Sequence, residues 1–277
     1  MERGYVHQDV IDIGALTQFA KSRAEIRDVV HEFFLFDTID STQRVAMEMA
    51  QSGMPGGVAI LAEAQEAGRG QRGHVWFSPP GGNLYLSLFL TPCGSVIETP
   101  LFMMATLVSL WTAIREVTAL DVAIKWPNDL QIDGKKVAGV LVGTRTAGRM
   151  TPALMIGIGL NVNVVDFPES LEQTATSIAK ALGHPIDRNL FLAAFFSAFC
   201  RYYADVESHR IHGLHQTFKT ACEALGQRIS LTAYDRTYEG VAEDIAKNGD
   251  LILRMPDGHT RLIPSDQAAS VRFFDRH

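Results

Sequence analysis

Lys125-Trp126-Pro127-Asn128-Asp129-Leu130-Gln131-Ile132-Asp133-Gly134-Lys135-Lys136-Val137-Ala138-Gly139-Val140 runs through the middle of the chain. Residues 130–132 and 137–144 are apolar runs separated by Asp133-Gly134, a dipeptide that favours a tight hairpin turn. A strand at 122–126 precedes this hairpin, and another at 154–161 follows it. Residues 84–90 set Leu84, Leu86, Leu88 and Leu90 against Tyr85, Ser87 and Phe89, the period-two pattern of a strand. Towards the N-terminus, strands at 33–36 and 58–63 flank a helix. Its N-cap candidates are Asp40, Ser41 and Thr42, and it runs through Gln51 to a stop at Gly53. Residues 100–117 read as a buried helix. Asp187 caps a long helix on which Leu190, Phe191, Ala194, Phe195, Ala198, Phe199 and Tyr202 recur at helical spacing. Hairpins join most of the strands, so the expected class is α+β, a mixed or antiparallel sheet with packed helices, more than a doubly wound parallel sheet.

Beyond Gly226 the pattern changes. Short strands at 229–233, 237–244, 251–255 and 259–263 are separated by turns at Tyr234-Asp235, Asn248-Gly249 and Asp257-Gly258. Strands at this spacing predict a small β-barrel of about fifty residues. The expected organisation is an N-terminal extension at 1–32 with a short helix around 16–30, a main domain at 33–224 and the barrel at 225–277.

A net charge of −6 gives no electrostatic reason to expect DNA or an anionic membrane as partner. Cys93, Cys200 and Cys222 lie far apart without a C-x-x-C, so neither a disulfide framework nor a zinc site is indicated. The N-terminus reaches no apolar core of a signal peptide. The most apolar stretch, 101–114, is about fourteen residues and too short to span a bilayer. A cytoplasmic globular protein is expected.

The long segment 64–82 contains Gly68-Arg69-Gly70-Gln71-Arg72-Gly73. As G-x-G-x-x-G it would be a dinucleotide fingerprint, but that motif must turn directly into a helix, and His74-Val75-Trp76-Phe77-Ser78-Pro79-Pro80 cannot do so. Read instead as a loop, its glycines allow close backbone approach and Arg69 and Arg72 offer forked donors to phosphate or carboxylate; the plainer reading is a solvated basic turn. Lys136, beside a turn, could aim its ammonium at the same site or be an exposed edge lysine. Asn128 and Asp129 could bind a hydroxyl or a magnesium ion, or simply form a turn. Met47, Met49, Met103 and Met104 read as core, Trp111 as packing its helix on the sheet. His209, His212 and His215 lack an acidic or cysteine partner for a metal.

Asp40-Ser41-Thr42, Gln65-x-x-Gly68-Arg69-Gly70-x-Arg72-Gly73, Lys125-Trp126-Pro127-Asn128-Asp129 and Lys136-Val137-Ala138-Gly139, in that order, closely resemble the biotin protein ligases. Gly157-Ile158-Gly159-Leu160-Asn161 and the terminal strands extend the resemblance, which covers about residue 33 to the C-terminus. It implies an SH3-like form for the terminal barrel. It also implies adenylation of biotin's carboxylate by ATP, then transfer to a lysine of a biotin carboxyl carrier protein such as that of acetyl-CoA carboxylase. Ser41, Thr42 and Gln43 would hold the ureido end of biotin and Gln65 its ring or tail, with Gly68, Arg69, Gly70 and Gln71 closing over it. Arg72 and His74 would meet phosphate, Trp76 would stack on adenine, Asn161 would read the nucleotide, and Asn128 and Asp129 would shape that side. Lys136 would be the main catalytic cation, with Arg69 assisting. Mg²⁺ would accompany ATP near Asp129, with no dedicated metal site. Gln71 and His74 stand where the best-known relatives carry arginines, and Gln43 where asparagine is common. A lipoate or octanoate ligase is the alternative activity. A biotin-responsive repressor would need a DNA-binding domain before residue 33, and a ligand-binding protein without catalysis would not need both Lys136 and Arg69. The resemblance implies a monofunctional ligase, and a homodimer stays open.

Overall fold

The computed structural model describes residues 10–93, 98–147 and 151–274; residues 1–9 of the expected extension and the last three residues of the expected barrel lie outside these. Two short helices, α1 (Ile13–Lys21) and α2 (Ala24–Arg27), stand where one helix was expected. Leu16, Ala20 and Ile26 join the main core, and Asn189 Nδ2 donates to Val10 O, so this segment is packed on the body. There follow β1 (Glu32–Ile39), α3 (Thr42–Gln51), β2 (Val58–Gln65), β3 (Leu84–Leu90), α4 (Thr99–Thr118), β4 (Ala123–Lys125), β5 (Asp129–Ile132), β6 (Lys135–Ala147) and β7 (Thr151–Leu160). Then come α5 (Glu169–Glu172), α6 (Ile178–Leu182), α7 (Arg188–Glu207) and α8 (His212–Ala221). The tail carries β8 (Arg228–Ala233), β9 (Arg236–Ile245), β10 (Leu251–Arg254), β11 (Thr260–Ile263) and β12 (Ala268–Phe273).

The seven-stranded sheet has the order β1-β2-β3-β7-β6-β5-β4. Only β1 and β2, joined through α3, pair in parallel; every other neighbour is antiparallel, as the hairpin-rich sequence requires. Asp133 and Gly134 both have positive φ, the type I′ geometry that matches strand twist. On one face α3 buries Ala46 and Ala50 against Val58, Ile60, Phe89 and Met155. On the other, α4 and α7 pack against each other and the sheet in the large core. Because both faces are covered, all seven residues of β3 are buried, including the Tyr85, Ser87 and Phe89 set.

One expectation of length and one of a buried face are corrected by this packing. The buried helix expected at 100–117 is α4, with 20 residues; the stretch at 101–114, read as too short to span a bilayer, belongs to a helix long and apolar enough to cross one. It is nevertheless a core helix, with Leu107, Val108, Ala113 and Ile114 inaccessible, and Thr106 and Ser109 bonded back to carbonyls of their own helix. On α7, Leu190 is 63% exposed, and Leu192 and Phe196 take the buried positions. The reason is a second contact: Phe196 meets Phe33 edge-on at 5.4 Å, so the helix is covered towards β1 as well as towards α4.

The tail corrects a third expectation. Its strands form an open five-stranded sheet of order β11-β10-β9-β8-β12, with β12 a strand the sequence reading missed, and not a closed barrel. Among the described residues β11 pairs only with β10 and β12 only with β8. β11 is four residues long and three of them are exposed. Pro264 follows it without an N–H to offer, and Asp250 Oδ1 takes the Ser265 N–H at 3.2 Å, turning the chain away from closure. The inner face of this sheet instead shares the main core through Ile229, Leu231, Leu251 and Leu253.

Arg188 is buried in the first turn of α7, where its guanidinium grips both oxygens of Glu63 at 2.7 and 3.1 Å and reaches Asn83 O at 2.9 Å. Asn83 also takes the Val162 N–H, and Tyr85 donates to Pro79 O, so this cluster fixes where the long 64–82 segment returns to the sheet. Burial pushes the Tyr85 hydroxyl well above its ordinary pKa, which keeps it neutral and a donor. Arg188→Ala strands a carboxylate and should cost about 3–5 kcal/mol of unfolding free energy in urea titration. Glu63→Gln with Arg188→Met should recover part of that loss, and a single variant as stable as the parent would contradict this account.

Candidate functional site

The site lies on the α3 face of the sheet, past the end of the helix. In one row across four strands, Tyr85 pairs with Gly159, Gly159 with Gly139, and Gly139 with Asp129; in the next, Ser87 pairs with Gly157 and Gly157 with Leu141. Three glycines thus leave the sheet bare at its centre.

The glycine-arginine segment folds over this patch. It is not a structureless loop: Arg69 bridges Val75, Gly70 N–H meets His74 O at 2.7 Å, and Trp76 N–H meets Gly68 O at 3.0 Å, which makes a small flap. Trp76 lies flat on the paired glycines. A Cβ on Gly159 would stand 2.3 Å from Trp76 Cε2, and one on Gly139 would stand 3.0 Å from Cζ3. The indole Nε1 is buried there with no hydrogen-bond partner among the described residues.

Lys136 reaches the same patch because of a bulge. Pairing shifts between Leu130↔Ala138 and Gln131↔Lys136, which leaves Val137 as the extra residue. Regular alternation from Gly139 would send Lys136 to the opposite face; the extra residue re-aims it. Its Nζ lies 2.6 Å from Asp129 Oδ1 and 5.3 Å from the centre of the Trp76 ring, a cation–π contact. Its backbone is clamped by Lys136 N to Thr174 O at 2.8 Å and Thr176 N to Lys136 O at 2.9 Å.

At the other side of the glycines is a polar head. Ser41 is the N-cap of α3, yet its side chain makes no capping bond and so remains available to a ligand. Thr42 donates its N–H and hydroxyl to Gln65 Oε1, and its hydroxyl lies 2.9 Å from Ser87 Oγ. Gln43 faces Gly157. The cavity left under the flap is about 40 Å³, room for a few waters.

The structure therefore brings together Ser41, Thr42, Gln43 and Gln65 on one side, Arg69, Gly70 and Gln71 in the flap, and Trp76, Asn128 and Lys136 at the far end. Gly68 is buried just beneath them. Of the expected phosphate or nucleotide ligands, two lie off this cavity and a third lines it with its amide already bonded. Arg72 donates to Gln267 O in the terminal sheet at 3.0 Å, with its own φ at 54°. His74 is exposed and does not line the cavity. Asn128 Nδ2 is bonded to Val140 O, which holds the hairpin base. Asn161 borders a second, apolar cleft of about 210 Å³ beside Lys136, formed by Trp76, Phe77, Phe167 and Ala175, and its Nδ2 ties that wall to Thr176 O.

Sequence reading missed Ser87, Phe77 and Phe167 as lining residues. Ser87 had a signal, being the one small polar residue in an otherwise apolar strand; Phe167 had none. The cysteines take no part: burial pushes the thiols of Cys200 and Cys222 up to about 12 and about 11, and Cys93 is exposed away from the cavity. Among the described residues no group of three acidic, histidine or cysteine side chains is assembled for a metal. His215 Nε2 instead donates to Ile245 O.

Residues 35–163 match the biotin/lipoate A/B protein ligase family and residues 224–265 the biotin protein ligase C-terminal domain. The chain is 31% identical over 253 residues to the bifunctional ligase/repressor BirA of Bacillus subtilis, covering 88% of this chain and 78% of that protein. It is 32% identical over 231 residues to a biotin–[acetyl-CoA-carboxylase] ligase of Paracoccus denitrificans, covering 82% and 95%. A biotin protein ligase from Aquifex aeolicus, solved in complex with biotin and ATP, superposes with a TM-score of 0.77 at 26% identity, covering 88% of this chain and 99% of that one.

Packing of Trp76 on the glycine pair has a direct test. Gly159→Ala should expel the indole and shift tryptophan emission to longer wavelength, and the shift should vanish in a Trp76→Phe background. Unchanged emission in Gly159→Ala would show that the ring does not rest there.

Proposed function

We propose a function from one premise: the chain belongs to the biotin/lipoate A/B protein ligase family, on its biotin protein ligase branch. It is an ATP-dependent ligase that activates biotin as biotinyl-5′-AMP and transfers biotin to a lysine of a carrier protein, forming an amide. The carrying observation is the placement of Lys136, between a polar head pocket and an aromatic cleft, over a floor with no side chains.

The ureido ring of biotin fits the head pocket of Ser41, Thr42, Gln43, Gln65 and Ser87, which supplies both donors and acceptors. Its apolar tail runs over Gly157, Gly159 and Gly139, so Trp76 must lift from the glycine pair to admit it. Adenine then has Trp76, Phe77 and Phe167 as aromatic walls, with Asn161 at the edge. The carboxylate oxygen attacks the α-phosphorus, the bond to pyrophosphate breaks, and a mixed anhydride forms. Lys136 neutralises charge on both reacting anions, which is where a fixed cation in a dry site acts most strongly. Arg69, at the cavity edge, assists. The lysine amine of the carrier next attacks the acyl carbon, and AMP leaves.

Asp129 is paired with Lys136, and among the described residues no cage of ligands surrounds it, so Mg²⁺ would accompany the phosphates of ATP with Asp129 as a carboxylate on that side. The acceptor is a biotin carboxyl carrier domain, the protein works in the cytoplasm, and residues 33–224 act as the catalytic domain with 225–277 as its companion. A homodimer is compatible with this reading. Among the described residues, those before β1 form two short helices packed on the body through Leu16, Ala20 and Ile26; repression of transcription is not carried over from the Bacillus relative, and a net charge of −6 gives DNA or an anionic membrane no electrostatic attraction.

Lys136→Ala should lower single-turnover biotinylation of a carrier domain by at least about a hundredfold, the scale for losing one transition-state donor. A loss of less than about threefold would remove Lys136 from the chemistry. Gln71 lines the cavity while His74 does not, so the weakened charge of this flap rests on Gln71 alone. Gln71→Arg should lengthen the half-life of the bound adenylate by about tenfold, the scale of one charged hydrogen bond; an unchanged half-life in a chase with unlabelled biotin would refute this.

A further inference from the structure

A line of hydrogen bonds leads from the head pocket to the flap that covers it. Ser87 Oγ touches Thr42 Oγ1, and Thr42 gives two bonds to Gln65 Oε1, at 2.9 Å from its N–H and 3.2 Å from its hydroxyl. The other end of the same amide, Gln65 Nε2, donates to Ser78 Oγ at 3.1 Å, and Ser78 Oγ donates to Trp76 O at 3.0 Å. A serine hydroxyl has one proton; with that proton given to Trp76, its oxygen can only accept from Gln65. The amide is therefore oriented from both ends, carbonyl towards Thr42 and NH₂ towards Ser78.

Gly68 is what allows the line to close. A Cβ there would stand 2.6 Å from Ser78 Oγ, 3.0 Å from Gln65 Nε2 and 3.0 Å from Trp76 O, against three members of the line at once. The bond from Ser78 to Trp76 is not part of the sheet, since both residues are only partly buried and belong to no strand. What the line joins is the head pocket and the residue whose ring walls the nucleotide cleft.

We propose that Ser78 is a positioning residue that couples occupation of the head pocket by biotin to placement of Trp76 at the nucleotide cleft. This rests on reading the cavity as the biotin site. A ureido group bonded to Thr42, Gln65 or Ser87 restrains those side chains, and through Ser78 it restrains the backbone of Trp76. The nucleotide then meets a wall already in place. By linkage, nucleotide must tighten biotin by the same factor as biotin tightens nucleotide.

The test is calorimetric titration of biotin into the full chain with and without α,β-methylene-ATP, which cannot release pyrophosphate, for wild type, Ser78→Ala, Ser78→Thr and Gly68→Ala. The nucleotide analogue should tighten biotin in wild type. That tightening should shrink by about fivefold in Ser78→Ala, the scale of one neutral hydrogen bond, and return in Ser78→Thr, which keeps the hydroxyl. Gly68→Ala should lose it by a separate route and carries the test if Ser78→Ala does not fold. Full tightening in Ser78→Ala, an equal loss of biotin affinity with and without the analogue, or no tightening in wild type would each overturn the inference. A wild-type chain that binds no biotin would instead overturn the ligase reading on which it rests.

Discussion

The pairing of Gly139 with Gly159 in the centre of the sheet is the constraint on which the site depends. A seven-stranded sheet covered by helices on both faces would ordinarily have side chains filling every row. Here one row offers only backbone between Tyr85 and Asp129, and that gap is the floor of the cavity. Trp76 rests on it, so a side chain at Gly159 would have to displace the flap and one at Gly139 would crowd both Trp76 and Lys136. Around the floor sit the polar head, the cation and the aromatic cleft, each delivered by a different local device: an uncapped helix N-terminus for Ser41, a bulge for Lys136, and a flap for Trp76.

The parts are kept in place from outside the cavity. The buried Arg188–Glu63 pair fixes the return of the long segment, and the loop at 174–176 clamps the backbone of Lys136. The terminal sheet reaches the site at two points. Trp126, in the motif that leads into the hairpin, donates its indole N–H to Gly249 O at 3.0 Å, and Arg72 in the flap donates to Gln267 O. An arginine that the motif suggests for phosphate thus fastens flap to tail, and the open tail sheet shares the main core instead of closing on itself.

Local pattern made much of this legible. The Asp133-Gly134 hairpin, the apolar strands of the main sheet and the Asp187 cap follow from short-range rules and appear where those rules put them. Side-chain partners were not legible, because they depend on which distant residue arrives. Arg188 looks like a solvated first-turn arginine until Glu63 is placed beside it, and Asn128 looks like a free amide until Val140 O claims it. The bulge that turns Lys136 towards the site leaves no mark in a run of apolar residues. Barrel closure was misjudged because strand spacing specifies neighbours along the chain and says nothing of whether the first and last edges meet.

The most direct measurement is exchange of labelled pyrophosphate into ATP in the presence of biotin, lipoate or no acid. A head pocket built from Ser41, Thr42, Gln65 and Ser87 rewards a ligand with ureido donors and acceptors, and leaves those groups unpaired against an acid that lacks them. The account predicts exchange that requires biotin and is negligible with lipoate. Exchange supported by lipoate and not by biotin, or by neither acid, would contradict it.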